Sequence, residues 1–322
     1  MDHHQRAIRM GAVVLVLAIS LRLFGGGIFQ PLNALWEHPA LMSFLVYLQS
    51  GRVVREPARE TIPSTPVATA PAEEAKPVFS GSDLVEVHYS CDYRPPLEEL
   101  LLSPLAWDLH GDAPTVLILH THTTEGYTQA PGEEYSETEP FRTLDETRNM
   151  LSIGDAVARI LTEGGIRVIH DRTVHDYPSY NASYENARQT IQRYLQAYPE
   201  ICLVLDIHRD AADSDGGQFA TQGTVDGQPS AQVMMVVGTD ATGNYHPDWQ
   251  TNLALALKLS AVLEQADPGV TRPISLREHR FNMDLTPGSL IVEVGSAGNT
   301  RQEALRAAEA LARGVLKLAR GA

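Results

Sequence analysis

The feature that most constrains this chain is an alternation that begins at Thr115. Short apolar, β-branched runs at 115–119, 166–169, 201–207, 232–237 and 289–294 are separated by stretches with a helical period. The clearest helical stretch is Met150 to Glu163, which repeats Met150, Ile153, Val157, Ile160 and Leu161 on one face and stops at Gly164-Gly165. Tyr184 to Tyr198, Leu253 to Leu263 and Gln302 to Leu318 follow the same logic. Runs this short read as buried strands rather than helices, and strands alternating with helices pack as a mostly parallel, helix-covered sheet. The spacing therefore predicts a single α/β domain over 81–322, with no internal repeat to suggest a solenoid.

The polar residues that adjoin these strands carry the chemistry. The first run is followed by His120-Thr-His122-Thr-Thr-Glu125, the third by Asp206-Ile-His208-Arg209-Asp210, and the last encloses Glu293 in Leu290-Ile-Val-Glu-Val-Gly295. Open α/β sheets display their sites at the carboxyl ends of strands. Two imidazoles and a carboxylate are a common zinc set that leaves one position for water, and His122, Glu125 and His208 supply it. A further carboxylate near such a water can act as general base, and Glu293, a charge inside an apolar strand, is the candidate. Arg209 or Arg280 is a candidate to stabilise a developing oxyanion, with Asp206 and Asn282 as neighbours of the site or the substrate. Each residue alone has a plain alternative: a strand-end histidine is usually hydrogen-bonded or solvated, and a buried carboxylate is usually paired. Convergence of three strands on one set of donors favours a metal hydrolase.

Composition narrows the partners. The net charge is −15, from 25 basic and 40 acidic residues, which leaves no basic footprint for nucleic acid. Only Cys91 and Cys202 are present, so neither a disulfide framework nor a thiolate zinc site is expected. Met10 to Phe29 is twenty apolar residues interrupted by Arg22 alone, preceded by Arg6 and Arg9. A cleaved signal peptide competes, since the apolar core Ala12 to Leu21 is short enough for one. Gly25 to Phe29 offers no small-x-small cleavage site, however, which favours a transmembrane anchor whose preceding arginines place the N-terminus in the cytoplasm. The expected layout is a cytoplasmic N-terminus and anchor over 1–30, a short amphipathic segment over 31–55, and a Pro/Ala/Glu-rich tether over 56–80 before the catalytic domain.

The stretches HTHTTEGY, DIHRDA, GNYHPDWQTNLALALKL and RFNMDLTPGSLIVEVGSAGNT resemble the stage II sporulation protein P family of endospore-forming bacteria. That family is related to the zinc-dependent N-acetylmuramoyl-L-alanine amidases, and the likeness covers about residues 82 to 322. The resemblance implies an amidase/zinc-carboxypeptidase-like fold and a membrane-anchored, extracytoplasmic peptidoglycan hydrolase that cuts stem peptide from glycan, with a possible endopeptidase action on cross-links. It also implies a role in forespore engulfment at the septal membrane, with stage II sporulation proteins D and M as partners. His208 and Glu293 match the amidases' last ligand and catalytic glutamate. For the glutamate ligand two registers compete: the carboxypeptidase register gives His122 with Glu125, and the amidase register gives Glu146. Glu125 is preferred because it lies in the stretch most like the family, which leaves His120 beside the ligands or facing substrate. Two other readings stand beside this one, an inactive peptidoglycan-binding scaffold and a zinc carboxypeptidase. The second is disfavoured because Tyr127 to Leu144 shows no evident basic pocket for a terminal carboxylate.

Overall fold

All five apolar runs become strands of one seven-stranded sheet in the computed structural model, which describes residues 85–320 apart from 106, 212, 215 and 216. The expected anchor, second apolar segment and tether lie outside the described residues, and among the described residues no helix is long and apolar enough to cross a membrane. The sheet strands are β1 (Val87–Tyr89), β2 (Val116–Leu119), β3 (Val168–His170), β4 (Leu203–Asp210), β5 (Val233–Gly238), β6 (Ile274–Arg277) and β7 (Ser289–Ser296). The helices are α1 (Leu97–Leu102), α2 (Met150–Glu163), α3 (Ser183–Ala197), α4 (Trp249–Ala266) and α5 (Arg301–Ala319).

The spatial order is β1-β6-β5-β7-β4-β2-β3. Every neighbouring pair is parallel except β7 with β5, so the expected mostly parallel sheet consists of two parallel blocks meeting at one antiparallel junction. The carboxyl ends of β2, β4 and β7 thus share one edge, while β5 and β6 exit at the other.

Side chains alternate across a strand, and this divides the sheet into two unlike faces. On one face Val116, Ile118, Leu205, Ile207, Val292, Val294, Val233 and Met235 join the main core with α2, α4 and α5. Truncating a fully buried member such as Leu205 to Ala would cost about 3 kcal/mol. Helix α5 starts on a capping box in which Thr300 and Glu303 satisfy each other's backbone N–H groups. The opposite face is covered less evenly. Leu117, Leu119 and Val204 pack under Ala187 and Ile191 of α3, and Met234, Val236 and Ile291 pack under Met283, with Phe281 alongside. Between these patches the same parity brings Asp206 and His208 of β4 beside Glu293 of β7, whose Cα is in register with that of His208.

Candidate active site

The site is built first by the turn after β2. Asp206 accepts from Thr121 N at 2.7 Å and Thr121 Oγ1 at 2.5 Å, Thr123 Oγ1 donates to His120 O at 2.8 Å, and Thr124 Oγ1 donates to Asp176 at 2.6 Å. These short hydroxyls replace the ladder bonds that a continuing strand would make. Glu125 N then donates to His122 O at 3.2 Å, which sets the His122 and Glu125 side chains on one tight turn.

His122 is buried and lies in an aromatic nest. Its ring stacks on Tyr180 at 4.5 Å and meets Tyr184 and His208 edge-on at 5.6 and 5.3 Å. Its Nδ1 is buried without a hydrogen-bond partner. Burial holds its pKa down to about 3, although Glu125 pulls the other way, so the ring is neutral and keeps its lone pair. His208 behaves oppositely. Burial opposes its charge, but Asp206 and Glu125 outweigh it and raise the pKa well above the ordinary value. Its Nδ1 is 3.6 Å from Glu125 Oε2, and its Nε2 is 2.9 Å from Asp206 Oδ1 but off the line a hydrogen bond requires.

Glu125 is held from the other side by two arginines. Arg142 Nη2 is 3.3 Å from its Oε1 and Arg209 Nη1 is 3.8 Å away, while the Arg209 backbone N–H donates to Oε2 at 3.2 Å. Burial would raise the Glu125 pKa, but Arg209 and His208 hold it well below the carboxylate range. Arg209 also donates from Nε to Gly126 O and from Nη2 to Phe141 O, both at 3.0 Å. Phe141 sits at φ +56°, a left-handed conformation that costs a side chain roughly 1–2 kcal/mol, and its carbonyl is tied twice, to Gly126 N and to Arg209. Glu293 completes the set. Its Oε2 is buried without a partner, and burial, reinforced by Asp210 and Glu125 against His208, raises its pKa to about 8.

The structure therefore brings His122, Glu125, His208, Asp206 and Glu293 together. His120 lies just behind them, its Nδ1 on Ile207 O at 2.8 Å. The other candidates stand apart. Glu146 is half-exposed on an ion pair with Arg172 at 2.8 Å. Arg280 binds Tyr245 O at 3.3 Å with Asp284 at 3.6 Å, and Asn282 donates to Tyr184 O at 2.9 Å, so both brace the loop before β7. Arg209 faces the backbone of residues 126 and 141 and braces Glu125. Sequence reasoning passed over Tyr180, Tyr184, Asp176 and Arg142. The tyrosines' spacing of four at a helix start was a readable sign of a shared face, while Arg142 sits in the very segment judged to lack basic character.

Two imidazoles in edge contact, a carboxylate 3.6 Å from one of them, and unpartnered buried atoms on both rings fit zinc in donor chemistry. Among the described residues no three such side chains already stand gathered as a finished metal site.

Comparison with known proteins adds the family. The family model described as stage II sporulation protein P matches residues 57–316. Stage II sporulation protein P of Bacillus subtilis (strain 168) is 28% identical over 215 residues, covering 63% of this chain and 50% of the relative, so the match spans half the relative's length. Among solved structures, amidase AmiC2 of Nostoc punctiforme is 18% identical with a TM-score of 0.38, covering 65% of this chain and 99% of that one. An N-acetylmuramoyl-L-alanine amidase of Clostridium difficile 630 is 18% identical at a TM-score of 0.39, covering 66% and 99%. Ami1 of Mycobacterium abscessus is 13% identical at 0.40, covering 64% and 98%.

Proposed function

From the premise that this chain belongs to the stage II sporulation protein P family, we propose that it is a peptidoglycan hydrolase that cleaves the amide between N-acetylmuramic acid and L-alanine. The observation that carries the reading is the register of Glu293 with His208, which sets a carboxyl group with an unpartnered buried oxygen beside His122, Glu125 and His208. His122, Glu125 and His208 would hold zinc. When bound, zinc supplies Lewis acidity to the scissile carbonyl and to water. Glu293 takes the proton from the attacking water and returns it to the alanine nitrogen, a role suited to a carboxyl whose oxygen is buried beside the proposed ligands without a partner. Asp206, tied to Thr121, fixes His208, and Arg209 and Arg142 fix Glu125, so the donors are pre-set before substrate arrives. Tyr180, about half exposed, flanks the His122 ring and offers substrate an aromatic surface.

We infer further that Met10 to Phe29 anchors the domain outside the cell membrane on the tether of 56–80, at the septum during engulfment, with stage II sporulation proteins D and M as partners. The apolar length of the anchor and the family membership support this. Cleavage of cross-links is a second action of the same site on a second amide. The test is product analysis of purified sacculi with the zinc-loaded protein. Release of whole stem peptides supports the amidase, split cross-links add the endopeptidase, and loss of terminal residues alone would replace both with a carboxypeptidase. A protein that purifies without stoichiometric zinc and releases nothing is a binding scaffold.

A further inference from the structure

Behind His122 and His208 runs a chain of side chains that the proposed hydrolysis does not use. His120 Nε2 lies 2.9 Å from His170 Nε2, His170 Nδ1 lies 3.0 Å from Asp155 Oδ1, and Asp155 is bound by Arg172 at 2.6 Å, which reaches Glu146 at 2.8 Å. The two imidazoles meet only because position 154 of α2 is glycine. A Cβ there would come within 2.4 Å of His170 Nε2 and 2.6 Å of His120 Nε2. A glycine inside a helix costs about 1 kcal/mol relative to alanine, so the contact is kept against local preference.

The hydrogen-bond roles along this chain follow from which groups can only accept. Ile207 O is a carbonyl, so His120 Nδ1 carries a proton and donates to it at 2.8 Å. That bond replaces a ladder bond, because β2 pairs with β4 only as far as Leu119 with Asp206, and Ile207 is the next residue. His120 is buried, and burial lowers its pKa to about 3, so its Nε2 offers a lone pair and the proton in the 2.9 Å contact belongs to His170. The Asp155 carboxylate also accepts, which asks His170 Nδ1 to donate as well. A neutral His170 of either tautomer would set a lone pair against a lone pair, at His120 or at Asp155.

We propose that His170 is a positioning residue for the hydrolytic site, a doubly protonated link between Asp155 and His120 that fixes the tautomer of His120 and, through Ile207 O, the backbone entering His208. The groups facing His170 are His120 at the end of β2, Asp155 on α2, and Asp171 and Arg172 after β3, with Glu146 behind Arg172. Burial outweighs Asp155 and lowers the His170 pKa from its ordinary value, so the link belongs to the acid side of that value and opens as pH rises through the His170 pKa. The role rests on the hydrolase reading, but the protonation pattern does not.

Nitrogen-15 spectra of the zinc-loaded protein, titrated from pH 4 to 8, read that pattern without any turnover. Expected are a His120 that stays in the Nδ1–H tautomer, and a His170 that carries two protons at the acid end and loses one at lower pH in Asp155→Asn. His170→Leu and Gly154→Ala should lower kcat for stem release about 10-fold or more with KM and zinc content kept, and His170→Gln, whose amide can still donate, should recover most of it. A His120 protonated at Nε2, or a His170→Leu variant with wild-type kcat, overturns the proposal. A wild-type protein that releases no stems defeats the hydrolase reading, and the spectra then decide the link alone.

Discussion

Replacing Glu125 by Gln separates the two registers for the carboxylate ligand. Glu125 is buried, with Arg142 at 3.3 Å and Arg209 at 3.8 Å, so neutralising it removes one partner of a buried ion cluster. Such losses run to about 3–5 kcal/mol. Here the lower end applies, because Arg142 keeps Asp176 at 2.7 Å, Arg209 keeps two main-chain carbonyls, and the amide oxygen can still accept from Arg209 N. For a domain of this size about 3 kcal/mol is a fall in Tm of about 6–12 °C. The second effect is on metal. A ligand that binds only the folded state stabilises it in proportion to the logarithm of its concentration over Kd, so a tenfold weaker site loses about 1.4 kcal/mol, or about 3–6 °C, of the zinc-dependent increment in Tm. Melting curves with and without zinc, beside metal analysis, measure both. Glu146→Gln is the control. Its side chain is 55% exposed on one ion pair with Arg172, worth less than about 1 kcal/mol, and its zinc increment should match wild type. If Glu146→Gln abolishes the increment and Glu125→Gln keeps it, the ligand set argued from the turn at His122 is wrong.

Glu293→Gln should leave fold and zinc content intact and lower stem release by about 10²-fold or more, as loss of a general base does, and unchanged turnover would remove Glu293 from the mechanism. In the metal-free protein the raised pKa of Glu293, about 8, means that the unfolded chain ionises first as pH rises. Its contribution to stability is therefore largest below the ordinary carboxylate pKa of about 4.3 and falls until the folded pKa is passed; urea titrations of wild type against Glu293→Gln should show that slope, and parallel curves would contradict it. Zinc uptake at neutral pH should release a proton from His208, whose metal-free pKa is raised, and none from neutral His122. Calorimetry in buffers of different ionisation heat reads the proton count, and heats independent of buffer would refute it.

The strands of the parallel block were legible because β2, β4 and β7 are apolar runs that no exposed element could carry. Strands β1 and β6 were not, since they are three and four residues long and include His88, Ser275 and Arg277, so only pairing in three dimensions makes them strands. The end of β4 was misread for a related reason. His208 to Asp210 look like a loop, yet the strand runs through them because β7 pairs as far as Ser296 with Asp210. That extension decides the role of Arg209: neighbours on a strand point to opposite faces, so with His208 facing the site Arg209 turns toward the 126–141 backbone and meets Glu125 from behind. The donors His122, Glu125, His208 and Glu293 could be picked out as residue types next to strands. Two of their braces could not, because Arg142 and Asp176 reach the site from loops whose path no local pattern encodes.

The commitments of the arginines bear on which amide is cut. A carboxypeptidase recognises its substrate's terminal carboxylate with a cation that is free to pair with it. The two arginines that touch Glu125 have other tasks: Arg142 is shared among Glu125, Asp176 and the Tyr180 ring, and Arg209 is spent on Glu125, Gly126 O and Phe141 O. Arg280 is engaged with Tyr245 O and Asp284. Drawing any of them onto a substrate carboxylate would unbrace either the proposed ligand Glu125 or the loop that carries Phe281 against Tyr184. What lies beside the proposed ligands instead is aromatic surface, with Tyr180 and Tyr184 against His122 and Phe281 against Tyr184. Such surface suits the face of a sugar ring beside an internal amide, as the proposed amidase reaction requires, better than a charged chain end.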